Sequence, residues 1–158
     1  MAFAVCKKLA NKLPSLPTGI SERLISVRIP IGHGRHLTLV NVYAPTMAYT
    51  DTEKEAFCKE LGGIVSRVPQ QDKLIILGDF NARVGTDYET YSGIIGKFGK
   101  GKKNANGDLL LNLCAQQELC ITNTYFRQPD KNYYTWMHLR SRHWQLLDYV
   151  VVRKGGLR

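Results

Sequence analysis

The stretch that decides the fold is residues 73–83, which read KLIILGDFNAR. Residues 74–77 form a short, continuous apolar run, which is typical of a strand covered on both faces of a sheet. Asp79 comes where this run stops, and Asn81 follows two positions later. Because strand side chains alternate, we expect Asp79 and Asn81 on one side and Phe80 on the other. The stretch therefore predicts a buried strand that ends in a carboxylate and an amide.

The segments before this strand predict a hairpin and a helix. Residues 24–29 and 37–43 are rich in β-branched residues, and Gly32-His33-Gly34-Arg35 between them is typical of a hairpin turn. Thr50 and Thr52 each precede a glutamate by three positions, which is the capping-box pattern at the start of a helix. Apolar residues at helical spacing then continue the predicted helix.

The segments after the strand predict a second helix and three more strands. The helix is expected from Asp108 to Leu119, with Asp108 as its candidate cap. Strands are expected over 121–126, 133–137 and 146–152. Strands and helices alternate and hairpins also occur, so we expect an α/β sandwich with mixed sheets.

Composition limits the class of protein and of partner. With 158 residues, 44% of them hydrophobic and 22% charged, the chain fits one globular domain over 1–158 and not a disordered protein. No apolar run approaches the ~20 residues of a membrane-spanning helix, so no membrane partner is expected. A net charge of +9 favours a polyanionic partner such as nucleic acid. The sequence gives no indication of an oligomeric state.

The most basic segment is a glycine-rich stretch that contains Lys97, Lys100, Lys102 and Lys103. Such a segment is expected to be flexible and exposed. It could hold phosphate groups, but a merely solvated loop is the more common structure for this composition.

The four cysteines, Cys6, Cys58, Cys114 and Cys120, form no C-x-x-C pair and no Cys/His spacing of a zinc site. We expect reduced thiols, buried where their neighbours are apolar. The first residues lack the charge order of a secretory signal. An intracellular protein, with the nucleus as one location, is therefore expected, and not a secreted one.

Asp79 and Asn81 are the first candidates for chemistry. A carboxylate can accept a proton or orient a water, and an amide two residues away can donate to a developing phosphoryl charge. The alternative is an Asx turn at the strand end, which the D-x-N spacing alone favours.

Asp148 is the second candidate, because it lies within the apolar segment 146–152. A buried charge needs a partner, and a histidine, an arginine or a metal ion would serve. A carboxylate that orients a histidine is a recurring catalytic arrangement. A structural salt bridge to Arg140, Arg142 or Arg153 is an equally good interpretation.

Two further features combine aromatic and polar groups. Tyr43 ends a predicted strand, where its phenol either reaches into a cleft or packs at the sheet edge, the second being favoured. Residues 133–144 interleave aromatic residues with Arg and His, a mixture that suits stacking on bases and contacts to phosphates. Within this segment we expect Trp136 to face the core and Arg140 and Arg142 to be exposed.

Four motifs in order resemble one superfamily. They are NVYAP at 41–45, LGDFNAR at 77–83, YTW at 134–136 and LDY at 147–149. The chain resembles the endonuclease/exonuclease/phosphatase superfamily, which includes the apurinic/apyrimidinic endonucleases and the endonuclease domains of LINE-type retrotransposons. The similarity is greater to the RTE/BovB branch and to the animal group called craniofacial development protein 2-like. It implies a partial four-layer α/β sandwich with two mixed β-sheets, of the DNase I type, with terminal elements missing.

The resemblance also implies roles for individual residues. Asp79 would orient the attacking water, Asn81 and Tyr43 would contact the scissile phosphate, and Asp148 would orient a histidine. The substrate would be DNA and the cofactor Mg²⁺. Contacts to DNA are expected from Arg83, Trp144, Lys100, Lys102 and Lys103.

Two parts of the family pattern have no counterpart in this sequence. The metal-binding Glu segment and the terminal Asp-His segment are missing, and Glu22 has the wrong context to replace the first. None of His33, His36, His138 and His143 has the context of the second. We therefore expect weak or no cleavage, since a metal ion and a general base each contribute about 10²-fold or more. A non-catalytic nucleic-acid-binding module and a mobile-element remnant are the alternatives.

Overall fold

The computed structural model describes residues 2–157, and its central feature is a six-stranded mixed sheet. The strands of the protein are β1 (Thr18–Ser21), β2 (Leu24–Gly32), β3 (Arg35–Tyr43), β4 (Lys73–Asp79), β5 (Leu119–Ile121), β6 (Trp136–Met137), β7 (Trp144–Gln145) and β8 (Asp148–Arg153). The helices are α1 (Lys7–Ala10), α2 (Asp51–Arg67) and α3 (Ala105–Gln116). Short 3₁₀ segments cover Thr122–Thr124, Asp130–Asn132 and Lys154–Leu157.

The strand order of the large sheet is β1-β2-β3-β4-β8-β5, and β6 pairs with β7 in a separate hairpin. The predicted hairpin between β2 and β3 is confirmed, with His33 and Gly34 at positive φ values of 52° and 71°. β3 and β4 pair in parallel through the α2 crossover, whereas the other pairs are antiparallel. Parallel pairing brings the carboxyl ends of β3 and β4 to the same edge of the sheet.

The main core lies between one face of this sheet and the helices α2 and α3. It contains alternate residues of the central strands together with apolar residues of both helices, among them Val40, Val42, Leu74, Ile76, Tyr149, Val151, Phe57, Leu61, Leu110 and Leu113. On the other face, Ile75 and Leu77 of β4 are only partly buried. The prediction of a strand covered on both faces was therefore wrong for β4, because both long helices pack on a single side.

The helix starts show one confirmed prediction and one error. Thr50 caps α2 through the predicted capping box with Glu53. The second helix begins at Ala105 and not at Asp108, because Asn104 is the N-cap and its Oδ1 accepts a hydrogen bond from Gly107 N.

Two strand predictions were also too long. The segment 121–126 contributes only its first residue to β5, because Thr124 Oγ1 donates to Ile121 O and the chain turns. Of 133–137 only Trp136 and Met137 are paired. The second sheet is therefore a two-stranded antiparallel hairpin and not the mixed sheet that was expected.

None of the helices within residues 2–157 is long and apolar enough to cross a membrane. The cysteines are free thiols, of which Cys114 and Cys120 are buried, Cys58 is partly buried and Cys6 is exposed. Burial raises the pKa of the Cys58 thiol to about 11, which keeps it protonated and poorly reactive at neutral pH.

Candidate functional site

Three predicted site residues meet at one edge of the large sheet. Tyr43 at the end of β3 pairs with Asp79 at the end of β4, and Asp79 pairs with Asp148 at the start of β8. Directly paired residues point to the same face of a sheet, so the phenol and the two carboxylates lie side by side. Strand register thus assembles a polar group from three separate segments of the sequence, and we call it the site edge.

Asp79 and Asn81 form the Asx turn that was the alternative to a functional pair. Asn81 N donates to Asp79 Oδ1 at 2.8 Å, and Asn81 adopts a left-handed φ of 46°. Asn81 Nδ2 donates to Ala44 O at 2.8 Å. An amide carries two N–H donors, so a second one is left for a ligand. The turn therefore fixes both side chains at the site edge and leaves each with capacity for another contact.

The protonation of Asp79 is shifted by its surroundings. Partial burial raises the pKa of its carboxyl, the hydrogen bond from Asn81 N opposes this shift, and the negative charge of Asp148 adds to it. A carboxylate with a raised pKa is a stronger base than a solvated one, which is the property that water activation requires.

Asp148 lies at the start of β8 and is only half-buried. Within residues 2–157 its carboxylate forms no ion pair with Arg140, Arg142 or Arg153, so the structural salt bridge was a wrong expectation. The physical reason is that solvent reaches the carboxylate, so its charge needs no buried partner. In the same described part of the chain, no histidine side chain hydrogen-bonds to it.

Thr135 is a positioning residue to which no role was assigned from the sequence. Its Oγ1 accepts hydrogen bonds from Leu147 N at 3.1 Å and Asp148 N at 3.2 Å. Thr135 lies in the YTW motif, which was the only sequence signal. The contact fixes the start of β8 and joins it to the β6–β7 hairpin.

Tyr43 is directed outward, with 47% of its surface exposed. The guanidinium carbon of Arg23 lies 6.0 Å from the centre of the Tyr43 ring and 4.8 Å from that of Tyr49. The ring was expected to pack at the sheet edge, and it is instead available to a ligand beside a positive charge.

Gly78 allows β3 and β4 to approach closely at the site edge. It has a φ of 137°, and a Cβ there would clash with Val42 O and lie 2.8 Å from Asn41 Oδ1. The backbone of β3 thus approaches Gly78 closely, and any side chain at this position would push the site strands apart.

Arg83 follows the site loop and is held through its backbone. Its N donates to Asn104 Oδ1 at 2.8 Å and its O accepts from Asn104 N at 3.1 Å. The side chain is partly buried and its Nε has no hydrogen-bond partner in the structure. A DNA contact by Arg83 remains a prediction.

The glycine-lysine segment is attached to the rest of the protein and is not the flexible loop that was expected. Lys100 pairs with Asp130 at 2.9 Å, and Lys103 pairs with Asp108 at 2.7 Å. Gly99 packs so closely on the backbone of Gly85 that a Cβ there would clash with it. Contacts of Lys100, Lys102 and Lys103 with DNA remain predictions, and the ion pairs of Lys100 and Lys103 would compete with a phosphate.

The β6–β7 hairpin presents aromatic and basic groups beside the site edge. Trp144 is 57% exposed, as predicted for a ligand contact, but Trp136 is 42% exposed and does not face the core as expected. A two-stranded hairpin has no helix over it, which explains the difference. Leu139 at the tip is 80% exposed between the ends of the strands, next to exposed Arg140 and Arg142.

A magnesium site was assessed from the side chains present. In the described chain no three His, Cys, Asp or Glu side chains come together to hold a metal ion. Asp79 and Asp148 supply two carboxylates, and water or substrate oxygens would have to take the remaining positions of an octahedral Mg²⁺ shell. The described residues provide no third side chain for such an ion and do not form a magnesium site by themselves.

Comparison with known proteins identifies relatives of the sequence. No protein-family model matches the chain. Craniofacial development protein 2 of Bos taurus is 38% identical over 134 residues, which cover 85% of this chain and 22% of that protein. The protein of the same name from Tragulus javanicus is 36% identical over 134 residues, which cover 85% of this chain and 23% of that protein. The chain thus spans less than a quarter of the length of these curated relatives.

Comparison with solved structures identifies the fold. The 3′ phosphatase NExo from Neisseria, bound to a product DNA hairpin, superposes with a TM-score of 0.55 and 22% identity, over 89% of this chain and 56% of that one. An endonuclease/exonuclease/phosphatase family protein from Leptotrichia buccalis superposes with a TM-score of 0.50 and 16% identity, over 82% of this chain and 40% of that one. The chain is therefore similar in sequence to craniofacial development protein 2 and has the mixed α/β fold of the endonuclease/exonuclease/phosphatase proteins.

Proposed function

We propose that this chain is a DNA-binding domain of endonuclease descent, of the LINE-type RTE branch, whose site edge faces a phosphodiester. The observation that carries the proposal is the register that places Tyr43, Asp79 and Asp148 side by side. Phenol, amide and carboxylate together supply the donors and the base that phosphodiester hydrolysis requires.

In this proposal each residue has a defined task. Asp79, whose pKa is raised by burial, accepts a proton from the attacking water as its oxygen bonds to phosphorus. The P–O bond to the leaving strand breaks, and the leaving oxygen takes its proton from solvent. The free N–H of Asn81 and the exposed hydroxyl of Tyr43 donate hydrogen bonds to phosphate oxygens. These donors stabilise the negative charge that develops on the phosphoryl group.

We propose further that cleavage is weak in this chain. Two neighbouring carboxylates repel a phosphate unless a cation lies between them, and the described residues provide no cation beside Asp148. Magnesium is the cofactor that the sequence resemblance implies, and when bound it would neutralise this charge. In this proposal, the ancestral endonuclease of a mobile element nicked its target DNA, and this chain retains only weak cleavage.

The β6–β7 hairpin supports binding without cleavage. It combines the exposed Trp144 ring with the exposed Arg140 and Arg142, which suits stacking on bases and contacts to phosphates. Thr135 connects the hairpin to Asp148, so DNA held by the hairpin would extend over the site edge. Binding then depends on groups that do not take part in hydrolysis.

Nicking of supercoiled plasmid in the presence of Mg²⁺ tests the catalytic part of the proposal. We expect slow nicking that Asp79→Ala reduces to background. Rapid cutting by the wild-type chain that is lost in Asp79→Ala would overturn weak cleavage and establish an efficient endonuclease. Cutting that is equal in both proteins would show that Asp79 is not the base.

Fluorescence anisotropy with a labelled DNA duplex tests the binding part. We expect the affinity to fall steeply between 50 and 200 mM salt, since phosphate contacts release counterions. Absence of binding at low salt, or an affinity that does not change with salt, would reject a DNA-binding domain. A cooperative thermal transition of the same sample would argue against a functionless remnant that does not fold.

A further inference from the structure

Asn106 in the first turn of α3 connects two loops of the site edge. It is only 6% exposed. Its Nδ2 donates to Pro45 O at 2.9 Å and to Asn81 O at 3.0 Å. Pro45 lies two residues beyond Tyr43, and Asn81 lies two residues beyond Asp79. A single NH₂ group therefore holds the loops that leave both site strands.

The loop at Asn81 needs such a restraint. Asn81 has a left-handed φ of 46°, a conformation that is less favourable than the right-handed one for residues other than glycine. Its own side chain donates to Ala44 O, in the same loop that Asn106 contacts. Two side chains thus join the segments at the ends of β3 and β4, Asn81 from within and Asn106 from the helix. The backbone hydrogen bond from Ala44 N to Asp79 O at 2.9 Å also joins them.

The first turn of α3 is a rigid base for Asn106. Asn104 Oδ1 accepts hydrogen bonds from Gly107 N and Arg83 N, both at 2.8 Å. Gly107 packs against Arg83 O so closely that a Cβ would clash with it. The helix start is therefore fixed to the chain that follows Asn81, and Asn106 cannot move away from its two acceptors without breaking this packing.

The two ends of the Asn106 amide lie in different surroundings. Its Oδ1 is buried and has no hydrogen-bond partner in the structure. It borders a cavity of about 20 Å³ that is also lined by Pro45, Lys54 and Phe80. Leucine at this position would leave the Pro45 and Asn81 carbonyls without their donor, and an unsatisfied buried acceptor costs about 1–3 kcal/mol. The two donated hydrogen bonds are what an amide provides here and leucine does not.

We infer that Asn106 is a positioning residue that sets the placement of Tyr43 relative to Asp79 and Asn81. It acts by holding the Pro45 and Asn81 carbonyls on one nitrogen. The inference deepens the proposed function, because those loops carry the groups that face the phosphate. The inference predicts that Asn106 keeps the loops after β3 and β4 ordered. This order can be measured whether or not the chain cleaves DNA.

Hydrogen–deuterium exchange of the full chain tests this inference, with Asn106→Leu compared with Asn112→Leu. Asn112 is an exposed residue of the same helix, so the control makes the same substitution away from the site. We expect Asn106→Leu to accelerate exchange about tenfold in both 43–49 and 79–84, because each loop loses a hydrogen bond. Exchange in 36–42 and 74–78 should stay as in the wild type, and Asn112→Leu should change none of these segments.

Two outcomes would overturn the inference. Unchanged exchange in either loop would show that Asn106 does not hold it, and acceleration throughout the sheet would show general destabilisation. Asn106→Ala provides a second variant if the leucine does not fit, since it removes both donors without adding bulk. The same loop pattern is expected from it.

A hydrolysis assay of the same variants separates this inference from the proposed function. Where the wild type cleaves, Asn106→Leu should lower kcat and leave KM unchanged, because the loops order the reacting groups and not the bound DNA. Where the wild type does not cleave, the catalytic proposal fails and the exchange pattern still decides the role of Asn106. If the wild type cleaves DNA and the two loops stay protected in both the wild type and Asn106→Leu, the role of Asn106 is rejected and the proposed function is retained.

Discussion

The two ends of β4 carry aspartates in opposite physical states. Asp72, just before the strand, has no exposed side-chain surface and accepts two hydrogen bonds from Arg28, at 2.7 and 3.0 Å, and one from Thr38 at 3.2 Å. The carboxylate of Asp79, at the other end, accepts from the described residues only the backbone N–H of Asn81 and faces a second carboxylate. The hydrogen bonds from Arg28 lower the pKa of Asp72, whereas burial raises the pKa of Asp79.

This difference separates a structural end of the sheet from a chemical one. At the Asp72 end, Arg153 donates to Val68 O at 2.7 Å and to Pro69 O at 2.8 Å, so the carbonyls that directly follow α2 are also satisfied. At the site edge, the Asp148 carboxylate and the Tyr43 phenol remain accessible. Satisfied polar groups stabilise the fold, and accessible ones are left for a ligand.

Removal of the Asp72 carboxylate is expected to have the largest effect. Asp72→Ala should lower the free energy of unfolding by about 3 kcal/mol, because it leaves Arg28 and Thr38 without their acceptor. Urea denaturation measures this change. Glu22→Ala, which removes an exposed carboxylate, should stay within about 0.5 kcal/mol of the wild type. If Asp72→Ala is as stable as the wild type, the Asp72 end of β4 does not stabilise the fold, and the comparison of the two ends of β4 fails.

Loss of the Trp144 ring extends the comparison from stability to binding. Trp144→Ala should weaken single-stranded DNA binding about tenfold, since stacking contributes about 1–3 kcal/mol per base. Its melting temperature should change little, because the ring is mostly exposed. Anisotropy and a thermal melt on the same sample check both statements. If Trp144→Ala is less stable and its DNA affinity is unchanged, the ring stabilises the fold and does not bind DNA.

Neutralising Asp148 should make DNA binding tighter by about two- to threefold, since one repulsive charge is removed from the site edge. Asp72→Asn should leave the affinity unchanged, because its charge is already paired with Arg28 at the far end. Anisotropy at low salt measures both variants against the wild type. Weaker binding by Asp148→Asn would indicate that this carboxylate binds the DNA through a cation.

The pH dependence of stability gives the smallest expected effect and has opposite signs for the two aspartates. The lowered pKa of Asp72 contributes stability above its ordinary value of 3.8, and this contribution is lost as the pH falls through the folded-state pKa. The raised pKa of Asp79 costs stability at neutral pH, and the cost disappears as the pH falls through that pKa towards 3.8.

Urea denaturation at pH 7 and near pH 4 therefore distinguishes the two isosteric variants. Asp79→Asn should be more stable than the wild type at pH 7 and equal to it near pH 4. Asp72→Asn should be less stable than the wild type at both values and approach it only at lower pH. If both variants are more stable than the wild type at pH 7, or both are less stable, the proposed difference between Asp72 and Asp79 is wrong.

Local chemistry explains what the sequence predicted correctly. The turn at His33 and Gly34 and the capping box at Thr50 each depend on residues within a few positions of one another. The D-x-N spacing likewise favoured the Asx turn that Asp79 and Asn81 form. Each of these features can be predicted without knowing which segments are neighbours in the fold.

Long-range contacts explain what was missed. Asn106 bonds to carbonyls of Pro45 and Asn81, and Thr135 to the backbone of Asp148, none of which is close in sequence. Trp136 was expected to face the core, but it lies on a separate two-stranded hairpin and is 42% exposed. Burial on a short element depends on its neighbours and not on its own hydrophobicity.

The position of β8 in the sheet sets the time at which the site can form. β8 lies between β4 and β5, although it follows both of them in the chain. A chain that is still being synthesised therefore exposes two unpaired strand edges until residue 153 is available, and such edges favour association with other chains. Asp79 gains its neighbour Asp148 in the same closing step. The pair of carboxylates therefore cannot form before residue 148 has been synthesised.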